Sequence, residues 1–189
     1  MFLRRPPSSQ DVERFIAASR DLPLSYDPVG LADRRPAGFA VDEQIAVIGR
    51  GMAAFKRATA ALADWKHFNL TWLHVLPTGA SIEPGTVVAI VVRHLGFWSM
   101  NGCRVVYAVG APTGHEFGFA YGTLTNHAET GEEIFKVFFQ PETEDVSYLI
   151  RAVSRPRAPL ARLGYPVTRS FQLRFRRDSA RAIRAAVAS

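Results

Sequence analysis

Between Trp72 and Val153 the chain alternates apolar and polar residues with a period of two, in WLHVL, TVVAIVVR, CRVVYAV, FGFAYGTL, EIFKVFF and DVSYLIRAV. Successive side chains of a strand point to opposite faces, so this period specifies extended backbone with two unlike faces. The runs are separated by PTGA, EPG, NG, PTG and ETGE, all rich in residues that make tight turns. Short turns join antiparallel neighbours, and the pattern therefore predicts an antiparallel meander of about six strands.

Such a sheet has one apolar face to cover, and two helical patterns are available to cover it. From Gly51, Phe55, Ala58, Leu62 and Trp65 recur at helical spacing while Lys56, Arg57 and Asp64 fall off the stripe. From about Thr168 to Val187, Phe171, Phe175, Ala182 and Ala186 lie near one face, flanked by Leu173, Ile183 and Val187. Arg174, Arg177, Arg181 and Arg184 point elsewhere, and the helix would be about 30 Å long. A shorter helix over DVERFIAAS, residues 11–19, precedes a Pro/Gly-rich connector from Leu22 to Gly38. The expected fold is α+β, a curved antiparallel sheet of about six strands gripping a long C-terminal helix, with N-terminal helical segments. At 189 residues a single domain is expected, with a core over 50–189 and an extension and connector over 1–49 packed on it.

The single cysteine, Cys103, excludes an intramolecular disulfide and a multi-thiolate zinc site; it reads as a buried, inert thiol and fits a reducing compartment. No run reaches the length of a membrane helix and no signal-peptide pattern opens the chain, so a cytoplasmic protein is expected. The net charge of +6 is uneven, because residues 151–189 carry ten arginines against Asp178 alone and the rest of the chain is net acidic. That basic tail allows a weak contact with anionic membranes, whereas specific nucleic-acid recognition is not expected and a solvated helix face would carry the same arginines.

The stretch GFAYGTLTNHAETGEE, residues 118–133, holds most of the chemistry-bearing side chains. Gly118, Ala120 and Gly122 share one strand face and Phe119, Tyr121 and Thr123 the other; the nearly bare face implies close approach of the long helix or of a ligand. In the turn that follows, His127 with Glu129, Glu132 and Glu133 offers an imidazole and carboxylates, but at the spacing of no metal signature. A strand starting there puts Glu132 and Glu133 on opposite faces. The turn reads first as a sheet corner with His127 hydrogen-bonded, and no metal or cofactor is expected. If a catalytic cluster exists, its candidates are His127, Glu133, Tyr121 and Arg155. Trp72, Trp98, Tyr107, Tyr121 and Tyr148 are candidates for lining an apolar pocket, although aromatic strand residues serve equally as core. Arg155 suits an anionic head group, Arg104 and Arg151 read as solvated, and SRPRAPLARLGYP reads as an extended crossover into the last helix.

With NGCRVVY at 101–107, SRP at 154–156 and LGYP at 163–166, the stretch 118–133 resembles the domain of unknown function 1990 family. The likeness runs from SYDPVG near Tyr26, through ADWKHF, to Val187, and implies relatives rather than a reaction. The order of elements also resembles the helix-grip architecture of START and Bet v 1 proteins, in which a curved sheet wraps a long helix around a hydrophobic cavity. That resemblance implies a small hydrophobic or lipid-like ligand between sheet and helix, with Phe171, Phe175 and the Gly118, Ala120, Gly122 face joining the aromatic residues and Arg155 as its lining. The alternatives are an enzyme of cyclase or hydrolase type acting on such a ligand, and peripheral or channel-type association with anionic membranes through the arginine-rich C-terminal region.

Overall fold

In a computed structural model the described residues are 1–94, 96–157 and 165–188, with side chains from Arg169 onward in the last segment. The strands are β1 (Phe2–Leu3), β2 (Ala40–Arg50), β3 (Leu73–Leu76), β4 (Val87–Arg93), β5 (Trp98–Gly110), β6 (Glu116–Thr123), β7 (Glu129–Phe139) and β8 (Asp145–Pro156). The helices are α1 (Ser9–Ser19), α2 (Gly51–Ala63) and α3 (Tyr165–Ala188), with short 3-10 turns at Leu31–Asp33 and Lys66–Phe68. The strands form one curled antiparallel sheet in the order β2-β8-β7-β6-β5-β4-β3, to which β1 adds by pairing with β5. The long helix α3 packs in its concave side, so the architecture is the expected helix grip.

The six expected strands are present, and a seventh long one was not foreseen. AVDEQIAVIGR, assigned to the extension, is the 11-residue edge strand β2, paired with β8 from Ala40↔Ser154 to Arg50↔Asp145. Its alternation runs against expectation: Asp42 and Gln44 fall in register with Ala152 and Ile150 on the inward face, while Ile45 and Val47 point out and are 55% and 49% exposed. A strand with polar residues inward and apolar residues outward gives no amphipathic signal for a buried face. The helix α3 also dresses this edge, since Arg176 and Arg184 donate to the carbonyls of Glu43 and Val47 at 3.4 and 2.5 Å. Edge carbonyls occupied in this way no longer offer a template for another strand.

Register decides what each face carries. Tyr121, Phe119 and Phe117 oppose Glu133, Phe135 and Val137 on the inward face, and Gly122, Ala120 and Gly118 oppose Glu132, Ile134 and Lys136 on the outward one. The middle of the concave side is solid: Phe55, Leu62, Phe68, Phe119, Phe135 and Ile183 are buried. The ring of Phe68 lies 4.8 Å from Phe175, and Trp65 lies 4.6 Å from Phe119. Among the described residues, rings in mutual contact stand where an empty cavity was expected. The buried stripe of α3 is Phe175, Ser179, Ile183 and Val187, so Leu173, expected as a flank, is 50% exposed.

The bare glycine face is therefore not under α3. It lies on the convex side, covered by the connector from Pro23 to Gly38, where a Cβ added at Gly122 would collide with Leu24 and Tyr26 and where Ala32 packs on Ala120. The connector is held there by one buried carboxylate. Glu132 accepts hydrogen bonds from the hydroxyls of Tyr26 and Tyr107 at 2.5 and 3.0 Å and from the backbone N–H groups of Gly30 and Ala32, both at 3.0 Å. Small side chains on the strand leave space for this strap, and the carboxylate satisfies its donors. Elsewhere on the convex side α1, started by a reciprocal capping box between Ser8 and Asp11, lays Val12 and Phe15 on Ala89, Val91 and Met100.

Candidate functional site at the polar end of the grip

The inward face changes character along α3. Towards the C-terminal half it is aromatic and aliphatic; towards the N-terminal half β5 contributes Asn101 and Cys103, β6 Tyr121, β7 Glu129 and Glu133, β8 Ser154 and β2 Asp42, each in inward register. The helix meets them with Arg169, Gln172 and Arg176. Gln172 donates through Nε2 to both oxygens of Glu129 at 3.0 and 3.1 Å and to the hydroxyl of Ser154 at 3.2 Å. Arg169 grips Asp42 with two guanidinium nitrogens, and Arg176 lies 3.4 Å from the same carboxylate.

At the centre of this end, the Tyr121 hydroxyl donates to Glu133 Oε2 at 2.5 Å. Burial, with Glu129 as a neighbouring like charge, pushes the Glu133 carboxyl up to about 7, against the pull of the Tyr121 hydrogen bond and of the Arg176 charge. Burial also raises Glu129, opposed by Gln172, and holds the Tyr121 phenol well above its ordinary value. Cys103 is buried, and burial together with Glu133 and Glu129 keeps it a thiol. A carboxyl that titrates near neutrality and is hydrogen-bonded to a phenol can donate or accept a proton under ordinary conditions.

An open cleft of about 330 Å³ lies beside this end, lined by Met1, Phe2, Asn101, Thr125, Asn126, His127, Ala128 and Arg157. Asn101 shares the inward face of β5 with Cys103, so the cleft abuts the polar end of the grip. A second groove of about 360 Å³ runs outside α3 past Leu70, Trp72, Asp178 and Arg181.

The expected catalytic candidates separate into three places. Tyr121 and Glu133 meet. His127 stays in its turn, accepting the Glu129 N–H at Nδ1 at 2.9 Å, and burial lowers its imidazole to about 4. Arg155 is exposed on the convex side with its guanidinium 4.5 Å from the Phe39 ring centroid, because its strand register turns it away from the helix. Of the expected lining, Phe175 and Tyr148 are core, with the Tyr148 hydroxyl 2.7 Å from Ser179, and Phe171 lies against Trp72 in a tilted contact with centroids 5.6 Å apart. Trp72 donates to Asp178 at 3.2 Å. Trp98 packs toward α1, Tyr107 binds Glu132, Ala120 and Gly122 face the connector, and Gly118, on the same outward face, closes on the β7 backbone at Phe135 and Lys136; none of these five belongs to the inward surface. Arg104 and Arg151, expected in solvent, are both engaged on the convex side: Arg104 donates to the carbonyls of Arg20 and Leu22, and Arg151 pairs with Glu43 at 2.7 Å. The crossover expected over SRPRAPLARLGYP falls outside the described residues from 158 to 164.

Four participants were not singled out in the sequence: Asp42, Arg169, Gln172 and Arg176. Asp42 was hidden by the assignment of its strand to the N-terminal extension. The other three recur at i, i+3 and i+7, a polar stripe beside the apolar one, and that spacing was the available signal. His67 was also missed. It is fully buried among Trp65, Phe68, Phe119 and Phe135, with neither ring nitrogen hydrogen-bonded, and burial pulls it down to about 3.

Comparison with solved structures supports the fold. The chain superposes on the Zhui aromatase/cyclase from Streptomyces sp. R1128 with a TM-score of 0.55 at 10% identity, covering 79% of this chain and 94% of that one. TTHA0849 from Thermus thermophilus matches with a TM-score of 0.53 at 11% identity over 79% and 97% of the two chains. Similarity in sequence is closer. A UPF0548 protein of Dictyostelium discoideum is 33% identical, covering 100% of this chain and 97% of its own length, and one of Deinococcus radiodurans is 34% identical over 97% of each. Residues 25–182, which include the Glu132 strap and the polar end of the grip, match the model of the domain of unknown function DUF1990, and the chain belongs to that family.

Proposed function

We propose that the protein binds a small, largely apolar molecule through its polar head group at the N-terminal end of α3, entering from the cleft beside Asn101 toward Tyr121, Glu133 and Gln172. The observation that carries this reading is the Tyr121–Glu133 pair, 2.5 Å apart on the inward face, where the apolar core of the grip gives way to its polar end. Ligand sites are apolar surfaces with a few convergent polar groups, and this is where the interior supplies them. Phe171, between Trp72 and His94, offers apolar surface at the same end. The fold is consistent with the reading, since it recurs in an aromatase/cyclase.

Native mass spectrometry of the purified protein, followed by solvent extraction, tests it. A co-purifying mass that is released on denaturation is the expected result. A protein that is empty and also fails to bind a neutral apolar fluorescent probe would remove the reading.

A second reading is favoured by one observation. The Glu133 carboxyl, near 7 and bonded to a phenol, has the proton affinity of a general acid or base, so a bound molecule carrying an ionisable C–H or a carbonyl would meet the means to enolise. Turnover that follows a single ionisation near neutrality and disappears in Glu133→Gln would establish it; binding without turnover leaves the first reading alone.

A further inference from the structure

Resting on the binding function above, we propose that the head group taken at this end is a neutral hydroxyl, donating to Glu133 and accepting from Arg176, and that the same apolar chain ending in a carboxylate is rejected.

Among the described residues, the charges already present leave no surplus cation for an anionic ligand. Asp42 takes both Arg169 and Arg176, and Glu129 is held by Gln172. At about pH 8, where Glu133 is ionised, Asp42, Glu129 and Glu133 stand among the described residues against the guanidinium groups of Arg169 and Arg176, and an added carboxylate would face like charge. Arg157 at the cleft is exposed, directed to the Thr125 carbonyl and screened by solvent.

What remains unmatched is one acceptor and one donor. Among the described residues, Tyr121 is the donor to Glu133 and occupies Oε2, so Oε1 is left as an acceptor. Among the described residues the Nε of Arg176 is buried without a hydrogen-bond partner, and Arg176 reaches Asp42, which flanks Ala152 on one side as Glu133 does on the other. A buried N–H without a partner is a standing cost that a ligand oxygen can relieve. A hydroxyl is the smallest neutral group able to donate to Oε1 and accept from Nε together. An ammonium has only donors, and would leave Nε unmatched while adding a positive charge beside it.

A matched ten-carbon series tests the assignment: 1-decanol, decylamine and decanoate, each displacing N-phenyl-1-naphthylamine from the full chain at about pH 8. Decanol is expected to displace the probe at lower concentration than either ionic homologue. Because the three differ in hydrophobicity, the deciding readout is selectivity, and the preference for decanol over decanoate should shrink by about tenfold in Glu133→Gln. Equal or better displacement by decanoate or decylamine in the wild type overturns the hydroxyl assignment while leaving the binding site standing. So does an unchanged decanol-to-decanoate ratio in a Glu133→Gln protein that melts cooperatively at or above the wild-type temperature. Failure of the probe to bind at all sinks the binding reading itself, and the head-group assignment with it.

Discussion

Tyr26 donates its hydroxyl proton to Glu132 across 106 positions of sequence, at 2.5 Å, and so ties the N-terminal connector to the convex face of β7. Glu132 is 2% exposed and answers three further donors. Glu132→Ala would strand Tyr26, Tyr107 and two backbone N–H groups together, and a loss of about 3 to 5 kcal/mol in denaturant titration is expected. Tyr26→Phe removes one donor and should cost about 1 kcal/mol. A cost for Glu132→Ala no larger than for Tyr26→Phe would show that the carboxylate does not organise the strap.

Gly122 reports on the same strap from below. A valine there meets Leu24 and Tyr26 and should cost about 1 to 3 kcal/mol by overpacking. Limited proteolysis should find new cleavage between Pro23 and Gly38, while the apolar probe binds unchanged on the other side of the sheet. Reduced probe binding with an intact connector would place the ligand on the convex face.

His67 and Glu133 act oppositely on stability as pH falls. Burial pulls His67 down from 6.5 to about 3, so between those values the unfolded chain binds the proton more readily and His67 removes stability as pH drops from 6.5 toward 3. Glu133 is raised from 4.5 to about 7, so across that interval the folded chain binds the proton more readily and stability rises as pH drops. His67→Phe should therefore leave a protein that is less sensitive to acid than the wild type between about pH 6.5 and 3, by a difference of a few kcal/mol at the acid end. Glu133→Gln should be more stable than the wild type at about pH 8 by roughly 1 to 3 kcal/mol, the advantage vanishing near pH 4.5. Denaturation midpoints across pH for the two variants decide both, and parallel curves would show that neither group titrates differently on folding.

Phe175 joins α3 to the sheet through Phe68 and Phe135, with centroids at 4.8 and 6.3 Å. Truncation to alanine should cost about 3 to 5 kcal/mol, the usual range for a buried phenylalanine. A cost near zero would take α3 out of the core.

The grip was legible because its strands alternate against the core and its last helix is amphipathic, the two patterns that water enforces most strongly. Face assignment was harder. Phe119 and Tyr121 point inward onto Trp65 and Phe68 while Ala120 and Gly122 point to the connector, and nothing within β6 says which face is core and which lies under the strap. The opposite faces of Glu132 and Glu133 followed from strand period alone, and the structure uses both, one to anchor the strap and one in the polar end of the grip. Long-range polar partners such as Asp42 with Arg169, or Gln172 with Glu129, come from pairing between distant segments and leave only the faint stripe on α3.

Because β2 pairs with β8, β1 with β5 and the Tyr26 connector with β7, the first fifty residues leave the ribosome before any strand they will rest on has been made. Their closing contacts are among the most distant in sequence, the kind that slows folding and leaves an intermediate exposed while it waits. Ile45 and Val47 lie on β2, and the edge they share is closed only when the last helix brings Arg176 and Arg184 to the carbonyls of Glu43 and Val47.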